Sequence, residues 1–186
     1  MGVRLFGVRR TSAIVSVSVI AYAFFFLRRV YEQQKNGIME TVNTSQQTLA
    51  FIHDKSPILD SICNDLTDLG FEILCRSEHI GDGIMQLSAL KSLPTVCIID
   101  LDFCDKNVLA ELQELHTKYP SMKLIAFSDK DSERAVKPLL EIGFAGYLLI
   151  GSDADDFKKA IEGVSNDGRY FSVGVAKIAQ EYFGKD

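Results

Sequence analysis

Pro94-Thr95-Val96-Cys97-Ile98-Ile99-Asp100 is the stretch of this 186-residue sequence that decides the fold. Its residues 96–99 form an unbroken apolar run, which is typical of a strand buried on both faces of a parallel sheet. The run ends at Asp100, a carboxylate that the packing of an apolar strand does not require. Asp100 is therefore either a functional residue or a cap for the turn that follows.

Similar apolar runs recur on both sides of this stretch, and segments with the period of a helix separate them. The five predicted strands cover residues 49–52, 72–75, 96–99, 123–127 and 146–149. The predicted helices cover residues 57–69, 83–90, 106–118, 131–142 and 153–164. Five such units joined by right-handed crossovers predict an α/β fold with an open, doubly wound parallel sheet. Ligands of these sheets bind at the carboxyl ends of the strands, so the loops there are the expected site.

Residues with strong positional preferences mark several helix ends. Pro57 suits a first helical turn, and Gly70 suits a helix stop. Asp153 is a candidate N-cap, with Asp155 and Asp156 in the first turn that follows it. These positions support the predicted helices independently of the apolar pattern.

The charge of the chain is distributed unevenly. Residues 1–31 contain five arginines and no acidic residue, whereas the whole chain has 20 basic and 25 acidic residues. The remainder has 15 bases against 25 acids, a net charge of −10. Because affinity for phosphates depends on lysine and arginine, this acidic part is not expected to bind nucleic acid.

The four cysteines show neither a CxxC pair nor zinc spacing with histidine. They are Cys63, Cys75, Cys97 and Cys104, and three of them lie in or beside apolar runs. This placement predicts buried free thiols, which are typical of a reducing compartment.

Residues 11–27 form a stretch of 17 residues without charge, between Arg9-Arg10 and Arg28-Arg29. As a helix this stretch would span about 26 Å, the short end of what crosses a bilayer. We predict a single membrane anchor over residues 1–29; a secretory signal, an organellar presequence and a buried core helix are the alternatives. Arginines flank both ends, so the positive-inside rule does not decide the orientation. Residues 30–47 are polar, which predicts a linker.

Four short motifs resemble the receiver domain of two-component response regulators, the flavodoxin-like (βα)5 module that accepts a phosphoryl group on an aspartate. Residues 94–100 resemble its third strand and phosphoacceptor, and Asp-Lys-Ser-Pro at 54–57 resembles the segment after its first strand. Residues 142–149 and 167–172 are similar to the last part of receivers that precede LuxR-type DNA-binding domains. The resemblance implies a receiver-like domain over residues 48–171, in the cytoplasm.

The resemblance also implies roles for single residues at the strand ends. Asp54 matches the first acidic ligand of Mg²⁺, Asp100 the phosphoacceptor, and Ser128 the hydroxyl that contacts the phosphoryl group. Asp102 falls where a backbone carbonyl faces the metal, so a weak Mg²⁺ site would comprise Asp54, Asp100 and Asp102. Tyr147 matches the aromatic residue that moves between inward and outward rotamers; an ordinary half-buried strand tyrosine is the alternative.

Two positions depart from the family pattern. Lys55 stands in place of the second acidic ligand, and Ile150 in place of the lysine that pairs with the phosphoryl group. An ammonium in place of a carboxylate removes a hard oxygen ligand, so Mg²⁺ is expected to bind weakly at most. Loss of the lysine removes a charge-assisted contact. As alternatives, Lys55 replaces the metal as a fixed cation beside Asp100, or a one-residue shift pairs His53 with Asp54.

These departures predict a receiver that is not an enzyme and signals by binding a sensor histidine kinase or another signalling protein. A working phosphoacceptor at Asp100 is the first alternative; a flavodoxin-like cofactor protein is a remote one, since the sequence has no phosphate-binding glycine motif. Residues 172–186 predict a short amphipathic helix and leave no room for an output domain. The resemblance places the partner contact, and a homodimer contact, on the fourth helix, fifth strand and fifth helix.

Overall fold

Six parallel strands form one sheet in the computed structural model, which describes residues 47–52, 57–102 and 108–184. The strands are β1 (Thr48–Ile52), β2 (Glu72–Ser77), β3 (Val96–Asp100), β4 (Lys123–Ser128), β5 (Gly146–Leu149) and β6 (Tyr170–Phe171). The helices are α1 (Pro57–Asp68), α2 (Ile80–Ala89), α3 (Val108–Lys118), α4 (Glu133–Ile142), α5 (Ala154–Ser165) and α6 (Val173–Phe183). The strand order β2-β1-β3-β4-β5-β6 confirms the predicted doubly wound α/β architecture.

β3 is an interior strand that pairs with β1 on one side and β4 on the other. All of its residues are buried. Val96 and Ile98 belong to one hydrophobic cluster, whereas Cys97 and Ile99 belong to another. Successive side chains of a strand point to opposite faces, so a strand covered on both sides is apolar at every position. This explains the unbroken apolar run at residues 96–99.

The two hydrophobic clusters lie on opposite faces of the sheet. α1 and α5 cover one face, through side chains such as Leu59 and Phe157. α2, α3, α4 and α6 contribute to the cluster on the other face, where Leu115 and Val136 are fully buried. Each large apolar side chain buried in this way contributes about 1.5–3 kcal/mol. The carboxyl edge of the sheet is left for polar residues.

Most of the predicted helix boundaries agree with the structure. Gly70 follows α1 with a φ of +94°, and the Asp153 side chain accepts a hydrogen bond of 3.0 Å from the Asp156 backbone N–H. The exception is α2, which begins at Ile80, whereas the sequence predicted a start at residue 83. Two glycines, Gly81 and Gly83, lie in its first turn and weaken the helical pattern there.

The predicted five-stranded sheet is wrong by one strand, because the sheet of the described residues also contains β6. β6 pairs in parallel with β5, with Gly146 opposite Tyr170 and Tyr147 opposite Phe171. Two residues are too few to show a strand period, so the sequence pattern had no means of indicating this strand. The pairing hydrogen-bonds an edge of β5 that would otherwise present open backbone groups.

The described cysteines agree with the prediction of buried free thiols. Cys63, Cys75 and Cys97 are buried and unbridged, while Cys104 lies outside the described residues. Burial raises the pKa of the Cys97 thiol well above its usual value, and nearby Cys75 raises it further. A thiol with a raised pKa is a poor nucleophile, so the role of Cys97 is packing.

The predicted membrane anchor at residues 1–29 and the linker at 30–47 lie outside the described residues, apart from Gln47. Within the described residues, none of the helices is both long enough and apolar enough to cross a membrane.

Gly83 offers a direct test of the packing between α2 and the sheet. A Cβ at Gly83 would lie 2.7 Å from Ile52 Cδ1 and 2.8 Å from Ser77 Oγ. We therefore expect Gly83→Ala to lower the free energy of unfolding by about 1–3 kcal/mol, measured by urea denaturation.

Gly81 in the same helix is the matched control, because a Cβ there would meet no atom within 4 Å. Gly81→Ala is expected to be neutral or to stabilise the domain by up to about 1 kcal/mol. Equal effects of the two substitutions would contradict the described packing of α2.

Candidate functional site

Asp100 and Ser128 lie side by side at the carboxyl edge of the sheet. Asp100 ends β3 and Ser128 ends β4, and Asp100 pairs in register with Phe127. Both are buried, with only 2 % of Asp100 and 1 % of Ser128 exposed. In a part of the chain whose buried residues are otherwise almost all apolar, these two polar groups mark the edge where doubly wound sheets place their sites.

The chain after Asp100 is held by backbone hydrogen bonds. The Asp102 N–H donates to Asp100 Oδ1 at 3.0 Å, and the Leu101 N–H donates to the Phe127 carbonyl at 2.9 Å. A carboxylate that accepts from the N–H two residues ahead closes a local turn, so Asp100 does cap the turn that follows it. This capping role and a functional role for Asp100 are compatible.

The Asp102 side chain is directed toward the end of β4. Its Oδ1 accepts a hydrogen bond of 2.8 Å from Ser128 Oγ, and its two oxygens accept from the Asp129 N–H at 3.1 and 3.2 Å. Hydrogen bonds to a carboxylate are stronger than those between neutral groups. The Ser128 hydroxyl is thus committed as a donor to a carboxylate of its own chain.

A further pair of hydrogen bonds joins this cluster to Tyr147. The Ser128 hydroxyl oxygen accepts from the Lys130 N–H at 3.2 Å, and the Tyr147 hydroxyl donates to the Lys130 carbonyl at 2.5 Å. Tyr147 is 1 % exposed, so its ring points inward. Burial raises the pKa of the Tyr147 phenol, and the negative charges of Asp102, Asp129 and Asp131 add to this rise, whereas the Ser128 hydroxyl opposes it.

Ile150 immediately follows β5, at the rim of the same edge. Its backbone N–H donates to the Ser128 carbonyl at 3.0 Å, and its side chain is 48 % exposed. The structure therefore places a hydrocarbon, and no cation, at the end of β5. Val173, which is 95 % exposed, directly follows Ser172, whose Oγ accepts from the Leu149 N–H at 3.1 Å.

The predicted magnesium ligands are only partly described. Asp54 and Lys55 lie outside the described residues, so their roles stay predictions. Among the described residues, no three potential metal ligands cluster together. The Asp102 carboxylate accepts from Ser128 and from the Asp129 N–H, and Asp100 is the other predicted ligand that the structure describes. The described donors alone do not fit Mg²⁺, which requires about six oxygen ligands.

The sequence analysis missed the contribution of backbone groups to this site. The Asp129 N–H and the Lys130 carbonyl both take part, and every residue type has such groups. It also assigned Asp102 a role through its carbonyl and none through its carboxylate. No sequence pattern indicates this role of Asp102, because Asp102 and Ser128 are 26 residues apart and only the folded strands bring them together.

Comparison with known proteins agrees with this geometry, although no family model matches the chain. The transcriptional regulatory protein DegU of Brevibacillus brevis is 28 % identical over 145 residues, covering 77 % of this chain and 61 % of the relative. The transcriptional regulatory protein MctR of Rhizobium johnstonii is 29 % identical over 83 residues, covering 45 % of this chain and 39 % of the relative. The chain thus matches less than two thirds of the length of either regulator.

Solved structures show the same fold. The isolated receiver domain of RcsB from Salmonella enterica serovar Typhimurium, in the presence of beryllofluoride, superposes with a TM-score of 0.62 at 16 % identity, covering 72 % of this chain and 99 % of that one. A LuxR-family two-component response regulator from an Aurantimonas species gives a TM-score of 0.63 at 18 % identity, covering 75 % and 99 %.

The six-stranded, doubly wound sheet with an aspartate at the end of β3 is the fold of receiver domains. The domain is similar to the receivers of LuxR-type response regulators, as its motifs indicated.

The inward position of Tyr147 predicts a specific effect of removing its hydroxyl. Tyr147→Phe leaves the Lys130 carbonyl without its donor, so we expect the free energy of unfolding to fall by about 1–2 kcal/mol. Tyr182→Phe is the control, because the Tyr182 hydroxyl makes no hydrogen bond to the described residues. Urea denaturation near neutral pH measures both, and equal losses would contradict the described hydrogen bond.

Tyr147→Phe also isolates the contribution of Tyr147 to the pH dependence of the free energy of unfolding. Because the pKa of Tyr147 is raised in the folded domain above the ordinary value of 10.0, folding holds the phenol proton more tightly than the unfolded chain does. This contribution is complete below pH 10.0 and is lost as the pH rises through the folded pKa. We expect the stability difference between wild type and Tyr147→Phe to shrink above that pH. A constant difference would disprove it.

Proposed function

We propose that this chain carries an atypical receiver that acts in two-component or phosphorelay signalling by binding another protein, without an enzymatic activity of its own. The observation that carries this proposal is Ile150, whose hydrocarbon side chain stands at the end of β5 where the family has its lysine. A phosphoryl group on Asp100 would lack that charge-assisted partner. Signalling that does not depend on phosphorylation follows most directly.

The surroundings of Asp100 support the same proposal through their charge. The Asp102 carboxylate accepts from Ser128 at the same edge, and its backbone N–H bonds to Asp100 Oδ1 at 3.0 Å, so a second acidic residue lies two positions from Asp100. Like charges repel one another more strongly near a protein surface than in bulk water. A phosphoryl dianion therefore meets repulsion that only added cations would offset.

A working phosphoacceptor is the second candidate, and one observation favours it. Asp100 and Ser128 are brought together at the ends of neighbouring strands, as phosphoryl transfer to an aspartate requires in this family. In that case Mg²⁺ would need Asp54 in addition to Asp100. The two candidates differ in whether the wild-type pocket binds a phosphoryl mimic.

The arrangement of β6 and α6 bears on which face of the domain contacts a partner protein. The face suggested by the family combines α4, β5 and α5, but here β6 pairs with β5 and α6 packs in the same hydrophobic cluster as α4. We therefore propose that a sensor histidine kinase, another regulator or a second copy of this chain contacts a face that includes β6 or α6. RcsB has been described as dimers bound to DNA; for the present chain, the net charge of −10 over residues 32–186 argues against a nucleic-acid partner.

A titration of the full chain with Mg²⁺ and beryllofluoride tests the proposed function. We expect the melting temperature and the amide NMR signals of Asp100, Ser128 and Tyr147 to stay unchanged, because Ile150 stands where the family has the lysine that pairs with the phosphoryl group. Asp100→Asn is the control for specificity. A rise of several degrees in the wild type that is lost in Asp100→Asn would establish the phosphoacceptor instead.

We further propose that residues 1–29 anchor the chain in a membrane, with the receiver domain in the cytoplasm. The proposal rests on the uncharged stretch at 11–27 and its flanking arginines. Cells expressing the full chain and a form beginning at Gly37 are fractionated; the full chain is expected in the membrane pellet and the shorter form in the supernatant. A full chain that stays in the supernatant would rule out the anchor.

A further inference from the structure

The Ser128 hydroxyl and the Asp129 N–H form a small anion-binding site at the carboxyl edge of the sheet. Both groups are donors, and both are directed at the same carboxylate, that of Asp102, at distances of 2.8 to 3.2 Å. A carboxylate and a tetrahedral oxyanion such as phosphate place anionic oxygens at similar distances from such donors. The chain therefore supplies its own ligand to a site suited to an oxyanion.

We infer that the Asp102 carboxylate is a built-in substitute for a phosphoryl group: it fills the oxyanion site of Ser128 and Asp129 and so holds Tyr147 inward. The inference rests on the proposed function and states how the conformation of that receiver is held constant. Asp102 acts through Ser128 on Tyr147 and is thus a positioning residue. Its carboxylate also competes for the hydroxyl that a phosphoryl group on Asp100 would need.

Hydrogen bonds carry the effect of Asp102 to Tyr147. The Ser128 hydroxyl donates to Asp102 and at the same time accepts from the Lys130 N–H, which fixes the loop after β4. The Lys130 carbonyl in turn accepts from the Tyr147 hydroxyl. The bond to the Lys130 N–H fixes the backbone of this residue, and so fixes the position of the carbonyl that accepts from Tyr147.

Further hydrogen bonds connect β5, the strand of Tyr147, with the start of α6. The backbone carbonyl of Tyr147 accepts from the Ser172 N–H at 2.9 Å, and Ser172 directly precedes α6. The Ser172 hydroxyl also accepts from the Leu149 N–H at 3.1 Å. The strand that carries Tyr147 is thus bonded on its other side to the residue that precedes α6, which connects Tyr147 with this helix.

The test compares inorganic phosphate with chloride at equal ionic strength, using the full chain and the variant Asp102→Ala. In chloride, Asp102→Ala is expected to melt at a lower temperature than wild type and to show Tyr147 ring signals averaged between positions. Phosphate should restore both properties and shift the Asp129 amide signal in a saturable way. Binding is expected to be about 10-fold to 100-fold tighter than in wild type, the range of one or two charge-assisted hydrogen bonds.

Asp129→Asn is the matched control, because it removes one negative charge at the same loop but keeps both the Asp129-position N–H and the Asp102 carboxylate. It is expected to behave like wild type toward phosphate. Asp102→Asn keeps the shape of the side chain, so it should block phosphate and weaken the hold on Tyr147 less than Asp102→Ala does. Equal phosphate binding by wild type, Asp129→Asn and Asp102→Ala would overturn the inference.

Two further results are decisive. If Asp102→Ala is folded but its Asp129 amide does not respond to phosphate, the donors do not form an oxyanion site and the inference fails. If Asp102→Ala is unfolded in chloride, circular dichroism follows its refolding, and a failure of phosphate to refold it better than chloride also overturns the inference. The proposed function fails separately, through a beryllofluoride response of the wild type that requires Asp100.

Discussion

The burial of β3 on both of its faces is the constraint on which the rest of this structure depends. Val96 and Ile98 pack under α1 and α5, while Cys97 and Ile99 pack on the opposite side, so neither face is free for polar residues. A polar group is tolerated only where the strand ends. Asp100 occupies that place, and it meets Ser128 because β4 ends beside it. The packing of the core thus restricts the polar residues of the site to the carboxyl ends of the strands.

The second organising feature is that β6 and the start of α6 cover the edge of β5. β6 adds two residues to this edge, and the start of α6 is bonded to Tyr147 and Leu149 through Ser172. α6 buries Val175 and Ala179 in the cluster that also contains residues of α4. The terminal segment therefore belongs to the core of the domain. A single strand, β5, lies between the end of β4 and the start of α6.

Sequence reasoning placed Asp100 and Ser128 correctly because each ends an apolar run, and parallel strands bring their carboxyl ends to one edge. It also placed the strands closely, since unbroken apolar runs of four or five residues leave few other interpretations. It missed β6, which is too short to have a period, and it began α2 late because Gly81 and Gly83 dilute its pattern. Asp54 and Lys55 lie outside the described residues, so their roles stay predictions.

By itself, the sequence determined the fold class: the apolar runs require a parallel sheet covered on both sides, and the motifs at the strand ends are similar to those of receivers. Only the tertiary structure decided what the Asp102 carboxylate does. Asp102 and Ser128 are 26 residues apart, and a carboxylate on a loop has several rotamers, so its choice depends on donors brought near it by folding. One of these donors, the Asp129 N–H, belongs to the backbone, which every residue carries and no sequence pattern distinguishes.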